Sequence, residues 1–293
     1  MPERGSPKIG RRRLAAELRR LRERADLTGE EVAEQLGWSG SKISRIELNR
    51  TEVKSADLAE LLDLYRVQGS HRADLVALSR LRRRKGWWSA YSDVIPPEYA
   101  AYIELEAESD SLLCWSAQLI HGLLQTEDYA RAVIESNLGW QPTTPPGKIQ
   151  RLVEVRLARQ RMVTGHGTLR VTVILDQSVL LRQVGEAAVM RQQLEYLAEV
   201  SRRPNVTVRV LPLAGFHPVG TGSFTLLVFP PLLGVGPSSD VLYVEQMTRN
   251  EVFVDEEAEV YEYRLAFDQL AAEALEPGPS RELIAAAVRD TWS

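Results

Sequence analysis

The chain has 293 residues, room for two domains at the usual ~100 to 200 residues each, and a net charge of −4 from 36 Lys+Arg and 40 Asp+Glu. That balance argues against a polyanion-binding protein taken whole, yet the charge is segregated: residues 1–86 hold 20 basic and 13 acidic side chains, net +7, and the remainder 16 and 27, net −11. The basic part suits nucleic acid and the acidic part does not, while one cysteine, Cys114, excludes an internal disulfide and a multi-thiolate metal site.

In chain order, residues 1–10 contain two prolines and two glycines and read as a flexible arm. They hold no apolar secretion segment, and no apolar run approaches the ~18 residues of a membrane span, so no membrane association and a cytoplasmic, reducing location are expected. Residues 11–86 are expected to form a helix-turn-helix domain. Thr28 with Glu31 three residues on is a capping box that opens a helix. Ala33 is small enough for close helix packing, and Gly37 tolerates the positive φ of a tight turn. Val32 and Leu36 before the turn, and Ile43 and Ile46 after it, have the spacing that puts apolar groups on one helix face. Ser39 or Ser41 is expected to accept the first amides of the second helix.

With the two isoleucines inward, Ser39, Gly40, Ser41, Lys42, Ser44 and Arg45 are expected outward near the amino end of that helix. This is the end that meets base edges in helix-turn-helix complexes. Lys42 and Arg45 suit guanine O6 and N7 or a phosphate, and the serines suit either. Glu47 reads as structural, holding the following loop. From Asp74 a helix turns basic and stops at Gly86, the expected domain junction. Arg82, Arg83, Arg84 and Lys85 fit the dipole at a helix end better than a phosphate site.

These residues, with Ile43-Ser44-Arg45-Ile46-Glu47 and Asp57 to Tyr65, make residues 11–66 resemble a Cro/repressor-type (Xre-like) five-helix domain. Such domains often carry Gln after the Thr that opens the motif, where it bonds a phosphate. Here that position is Gly29, so the resemblance implies that this phosphate bond is missing or is made instead by Arg11, Arg12 or Arg13. With Thr28 these three complete the candidate DNA-binding set.

Residues 87–293 are expected to form a regulatory or interaction domain, helical over 87–163 and mixed α/β over 164–293. The helical part has breaks at Pro96-Pro97, His121-Gly122 and the connector Gln141–Gly147. Strand signals follow at 169–175, 206–211 and 224–229, with shorter ones at 241–244 and 251–254. A helical stretch at 187–200 separates the first two, which predicts a parallel crossover followed by an antiparallel meander. Helices at 256–274 and 280–291 close the chain. The expected class is α+β: an all-α reader, a helical connector, and a mixed sheet covered by helices.

This region resembles a domain of unknown function joined to Xre-like readers in filamentous, high-GC bacteria. The resemblance rests on Trp87-Trp88, Pro97-Glu98-Tyr99, Glu104 to Glu108, Gly122-Leu-Leu-Gln-Thr-Glu-Asp-Tyr-Ala-Arg131, Pro204 to Thr207, Leu211-Pro212, Gly215 with His217, Gly222-Ser-Phe224 and Tyr243-Val-Glu245. It implies an antitoxin-like regulator, often paired with a small companion protein. The family commonly has proline where this chain has His121, which leaves that turn less constrained.

Catalytic chemistry is not expected. The four histidines, His71, His121, His166 and His217, show no metal-ligand spacing, and neither metal nor cofactor is expected. Gly215 to Gly222 lacks the Lys and following helix of a phosphate loop and reads as a turn. Asp176 is the best single acid–base candidate, with Glu104, Glu106 and Glu108 as alternates, but Asp176 also reads as a helix cap. No Gly-x-Ser-x-Gly elbow presents a nucleophile. Most of the aromatics between 87 and 140 suit core filling. Trp87, Trp88 and Tyr91, beside the charged junction, are candidates for a partner interface or a small apolar pocket.

The expected function is a sequence-specific transcriptional regulator binding double-stranded operator DNA as a homodimer, since one reader helix covers one half-site. The alternative is an interaction protein that neutralises a small companion encoded beside it, with DNA binding for autoregulation.

Overall fold

The computed structural model describes residues 7–80, 86–138, 146–165, 169–217, 222–229, 240–244, 252–254 and 256–293. The chain divides into two compact units between Lys85 and Gly86.

The first unit is five helices: α1 (Pro7–Arg24), α2 (Gly29–Leu36), α3 (Gly40–Glu47), α4 (Ser55–Leu64) and α5 (Gly69–Arg80). Proline at the start of α1 loses no helical hydrogen bond, so helix begins inside the stretch expected as an arm. Residues 1–6 lie outside the described residues. Leu14, Leu18 and Leu21 of α1, Val32 and Ala33 of α2, Ile43 and Ile46 of α3, Leu58, Leu61 and Leu62 of α4, and Leu75 and Leu78 of α5 meet in one core. Their i, i+3 and i, i+4 recurrence lets the five helices share it, and the four short ones, α2 to α5, are of a length marginal without such packing.

The second unit is built on a six-stranded sheet ordered β3-β2-β1-β4-β5-β6. Its strands are β1 (Ser111–Ser116), β2 (Arg170–Asp176), β3 (Val206–Leu211), β4 (Phe224–Val228), β5 (Val241–Val244) and β6 (Val252–Val254). β1 runs parallel to β2, and β2 to β3; β4, β5 and β6 follow as an antiparallel series from the other side of β1. β1 therefore lies in the middle of the sheet, inside the span expected as helical. Its Ser-Leu-Leu-Cys-Trp-Ser run is a short apolar stretch buried from both faces, and such a stretch lacks the alternation that distinguishes strand from helix.

α6 (Pro97–Glu108) precedes the sheet; α7 (Glu127–Leu138) and α8 (Pro146–Thr164) run between β1 and β2, α9 (Ser178–Leu181) and α10 (Ala187–Val200) between β2 and β3, and α11 (Glu257–Glu273) and α12 (Pro277–Thr291) follow the sheet. Side chains alternate across the sheet. Trp115, Ile174, Phe224, Leu226 and Leu242 face Val260, Phe267 and Leu270 of α11. Cys114 and Tyr243 point the other way, toward Tyr102 and Glu106 of α6. The outer edge of β3 is closed: Leu275 N donates to Val210 O at 2.9 Å, and Val210 N donates to Ser280 Oγ at 3.0 Å. Arg209 donates to the carbonyls of Ala274 and Leu275. The two bonds to Val210 occupy backbone groups that would otherwise template another strand.

Candidate nucleic-acid interface

The α2–turn–α3 joint follows from local chemistry. Glu31 N donates to Thr28 Oγ1 at 3.2 Å, and Thr28 N donates to Glu31 Oε2 at 2.7 Å, closing both halves of the capping box. The helix ends at Gly37 with φ 66°, a left-handed conformation that costs glycine little. Trp38 N then donates to Ala33 O at 2.7 Å. Across the turn, Ile43 and Ile46 are buried against Val32 and Ala33, which fixes the opposite face of α3 outward.

Ser39, Gly40, Ser41, Ser44 and Arg45 are exposed on that outward face, and the space around Gly40 is open. The two serines depart from their expected capping role. Ser39 occupies the cap position with no side-chain cap bond; its hydroxyl lies 3.1 Å from that of Ser41, which accepts from Arg45 Nη1 at 3.4 Å. The serine pair thus lies along the exposed edge, where a hydroxyl can serve base edges and phosphates alike.

Lys42 is not the outward cation that helical spacing predicts. Its Nζ lies 2.8 Å from Asp57 Oδ1 on α4 and 3.3 Å from the centroid of the Trp38 ring, leaving the side chain 30% exposed. A lysine stem has four carbons and bends toward the nearest anion or aromatic face, whatever the direction of its Cα–Cβ bond.

Glu47 is structural, though its partner is α1 and not the loop that follows. Arg22 Nε and Nη2 donate to the two Glu47 oxygens at 2.8 and 2.9 Å, and Arg22 Nη1 donates to Leu27 O at 2.8 Å. The bond to Glu47 raises the Arg22 pKa against the opposing effect of burial. One guanidinium therefore holds the end of α3, the end of α1 and the loop into α2 together. Burial chiefly, and the nearby Glu47 charge, push the Tyr65 phenol well above its ordinary value, so it stays neutral.

The residues expected to bind phosphate differ in what surrounds them. Arg11 Nη1 lies 3.6 Å from Glu52 Oε2, beside a shallow open groove lined also by Ile46 and Asn49. Arg12 and Arg13 belong to α1, and their side chains fall outside the described residues. The exposed Thr28 hydroxyl donates to Glu31 Oε2 at 2.8 Å, so a phosphate that takes its proton must compete with that carboxylate. At Gly29 an added Cβ would make ordinary contact with Ile43 Cγ2 at 3.7 Å, so packing does not exclude a side chain there.

In the second unit the proposed aromatic trio is brought together, with its members unequally exposed. Trp88 and Tyr91 pack on a small core of Ile95, Ile103 and Val155, and a Cβ on Gly86 would collide with the Trp88 ring. Arg151 stacks over Tyr91 and pairs with Asp93. Trp87 meets both aromatics edge-on and is 36% exposed. Trp140 and the basic run 82–85 lie outside the described residues.

Of the acid–base candidates, Asp176 stands one residue before the cap position, which Gln177 takes, and its Oδ1 accepts from Ser178 N at 2.8 Å in a local turn. Glu104 is buried, and Glu106 is gripped by Arg159, whose Nε and Nη2 donate at 2.7 and 2.6 Å. Arg159 also donates to the Tyr99 hydroxyl and lies over the Tyr99 and Tyr102 rings. Burial opposes its charge, and Glu106 and Tyr99 more than offset that, so it remains a cation. The same burial pushes the Cys114 thiol up to about 12, far from a reactive thiolate. Packing together with Arg159 and Arg156 drives His121 down to about 3, although the residue keeps some surface; a neutral ring agrees with its Nδ1 accepting from Leu123 N. Among the described residues no three His, Cys, Asp or Glu groups cluster as a metal site, and no helix is long and apolar enough to cross a membrane.

Asp57, which holds Lys42, and Arg22, which holds Glu47, carry no local sequence signal, because each works through a residue on another element. Comparison with known proteins adds two matches. Residues 13–75 match the family described as a helix-turn-helix domain, which agrees with the α1–α5 geometry and is the architecture of DNA-binding regulators. No curated protein and no solved structure matches the chain. Residues 99–286, more than half of the chain, match the family described as Domain of unknown function (DUF5753), and the chain belongs to that family.

Proposed function

We propose that the protein is a sequence-specific, Xre-like transcriptional regulator of antitoxin-like type, in which α3 reads the major groove and the second unit mediates dimerisation and partner or ligand sensing. The observation that carries this reading is the exposed row Ser39, Gly40, Ser41, Ser44 and Arg45 on a helix whose other face is buried and whose end is clamped by Arg22 and Glu47. A rigid helix presenting small polar groups and one outward arginine at its exposed face fits a groove. A non-enzymatic role agrees with the helix-turn-helix domain. Binding by the full-length chain to a duplex from the region upstream of its own gene tests the reading. Arg45→Ala is expected to weaken that binding by about 1–3 kcal/mol with an unchanged circular dichroism spectrum. Unchanged affinity would remove α3 as the reader.

The homodimer follows from half-site logic, and light scattering at micromolar protein is expected to give twice the chain mass. A second reading, an interaction protein that neutralises a small companion, is favoured by one observation. Among the described residues the exposed large apolar side chains other than Leu48 lie in the second unit, including Tyr261 at 60% and Leu265 at 45%, four residues apart on α11. Co-purification with the product of an adjoining short reading frame, abolished by Leu265→Glu, would favour it.

A further inference from the structure

Lys42 and Arg45 sit three residues apart on α3 and meet different surroundings. Arg45 is exposed and its guanidinium donates to the Ser41 hydroxyl on its own helix, whereas the Lys42 ammonium is held from two other elements, by Asp57 of α4 and by the Trp38 ring in the turn. We infer that Asp57 is a specificity-determining residue of the α3 surface, one that competes with DNA phosphates for Lys42 and so limits sequence-independent binding. This rests on the DNA-reading role proposed for α3.

The physical case has three parts. A lysine is a compact, strongly hydrated charge that would otherwise join whichever phosphate comes near, an interaction that adds affinity without sequence information. Asp57 lies in the first turn of α4, where the helix dipole favours a carboxylate, and its side chain is 19% exposed, so it is a fixed competitor. A phosphate that takes Lys42 must displace this carboxylate and set its own negative charge beside it. A guanine edge bears no net charge, so repulsion from Asp57 falls more heavily on phosphate binding than on base reading. The ion pair adds little stability, as half-exposed pairs generally do; its consequence is where the ammonium points.

The experiment uses the full-length chain and two duplexes of equal length, one from upstream of its own gene and one of random sequence, across about 50 to 200 mM salt. Asp57→Asn is expected to tighten random-duplex binding about three- to fivefold at the low end. The slope of log K against log salt should steepen by about 1, the mark of one added phosphate interaction. Binding to the upstream duplex should gain less, so the ratio between the two falls. In a Lys42→Gln background Asp57→Asn is expected to change neither slope nor ratio, and Glu60→Gln, which neutralises an exposed acid on α4, should leave the slope alone. An unchanged slope for Asp57→Asn, or the same gain without Lys42, overturns the inference. If the wild-type chain retains neither duplex, the DNA reading fails and the inference with it. If Arg45→Ala abolishes upstream binding while Asp57→Asn does nothing, the reading stands and only the inference falls.

Discussion

An arginine fork gripping a carboxylate is found in both units, at different depths. In the reader, Arg22 and Glu47 keep 14% and 10% of their side-chain surface, and the guanidinium has a spare nitrogen for the Leu27 carbonyl. In the second unit, Arg159 and Glu106 keep 4% and 0%, and the rings of Tyr99 and Tyr102 flank the guanidinium. Near the surface, water still solvates what a broken pair leaves behind, so the fork mainly fixes geometry. In the interior both charges have given up their water, and each is tolerable only because the other is present. Depth, more than hydrogen-bond geometry, decides whether such a pair orients or holds a fold.

The largest expected effect is at the deep fork. Arg159→Met should destabilise the second unit by about 3–5 kcal/mol, because it strands a buried carboxylate. The double variant Arg159→Met with Glu106→Leu should recover most of that loss, since an apolar pair of similar volume leaves no orphan charge. Chemical unfolding of the full chain, followed by Trp fluorescence, measures both. A single variant no worse than its counterpart in the reader would mean that depth does not separate the two forks.

At the shallow fork the loss is smaller and its consequence different. Arg22→Met removes charge-assisted bonds generally worth about 1.5–3 kcal/mol. It also frees the end of α3 from α1, so binding to the upstream duplex should weaken although Arg22 lies off the exposed row. Preserved binding at a measurable loss of stability would show that the fork supports the fold without aiming the helix.

The two units also differ in how far they could be read from sequence. The reader's joint is specified by residues close in the chain: Thr28 with Glu31, Gly37 at the turn, Ile43 and Ile46 one turn apart. Each signal has a local physical cause, so each is visible in one window. The second unit depends on pairings that no window spans. Arg159 and Glu106 are 53 residues apart, and β1 owes its strand form to β2 and β4 on either side. Even within the reader, helical periodicity gave the direction of the Lys42 Cα–Cβ bond but not the place of its ammonium, which depends on Asp57 in the next helix. Ser39 stands at the cap position as its type favours, yet its hydroxyl turns to Ser41, and a propensity for caps does not fix a rotamer.

The Glu31 carboxylate extends the comparison to the surface itself. Fully exposed, it accepts from the Thr28 amide at 2.7 Å and from the Thr28 hydroxyl at 2.8 Å, and these bonds, the amide first, hold its pKa below the ordinary value. A carboxyl whose pKa is lowered by folding contributes stability above the unfolded value of about 4.3. That contribution is lost as the pH falls through the folded value. NMR titration of the Glu31 side-chain carbon should place its midpoint below the ordinary glutamate value of about 4.3. Since the amide is the larger cause, Thr28→Ala should leave most of the depression in place. Thr28→Pro, which keeps a compatible φ near the observed −78° but removes the N–H, should abolish it. Since the proline lacks the hydroxyl as well, loss of most of the depression already in Thr28→Ala would assign the anchoring of this carboxylate to the hydroxyl, and the Thr28 side chain would then be committed to the cap whenever α2 is formed.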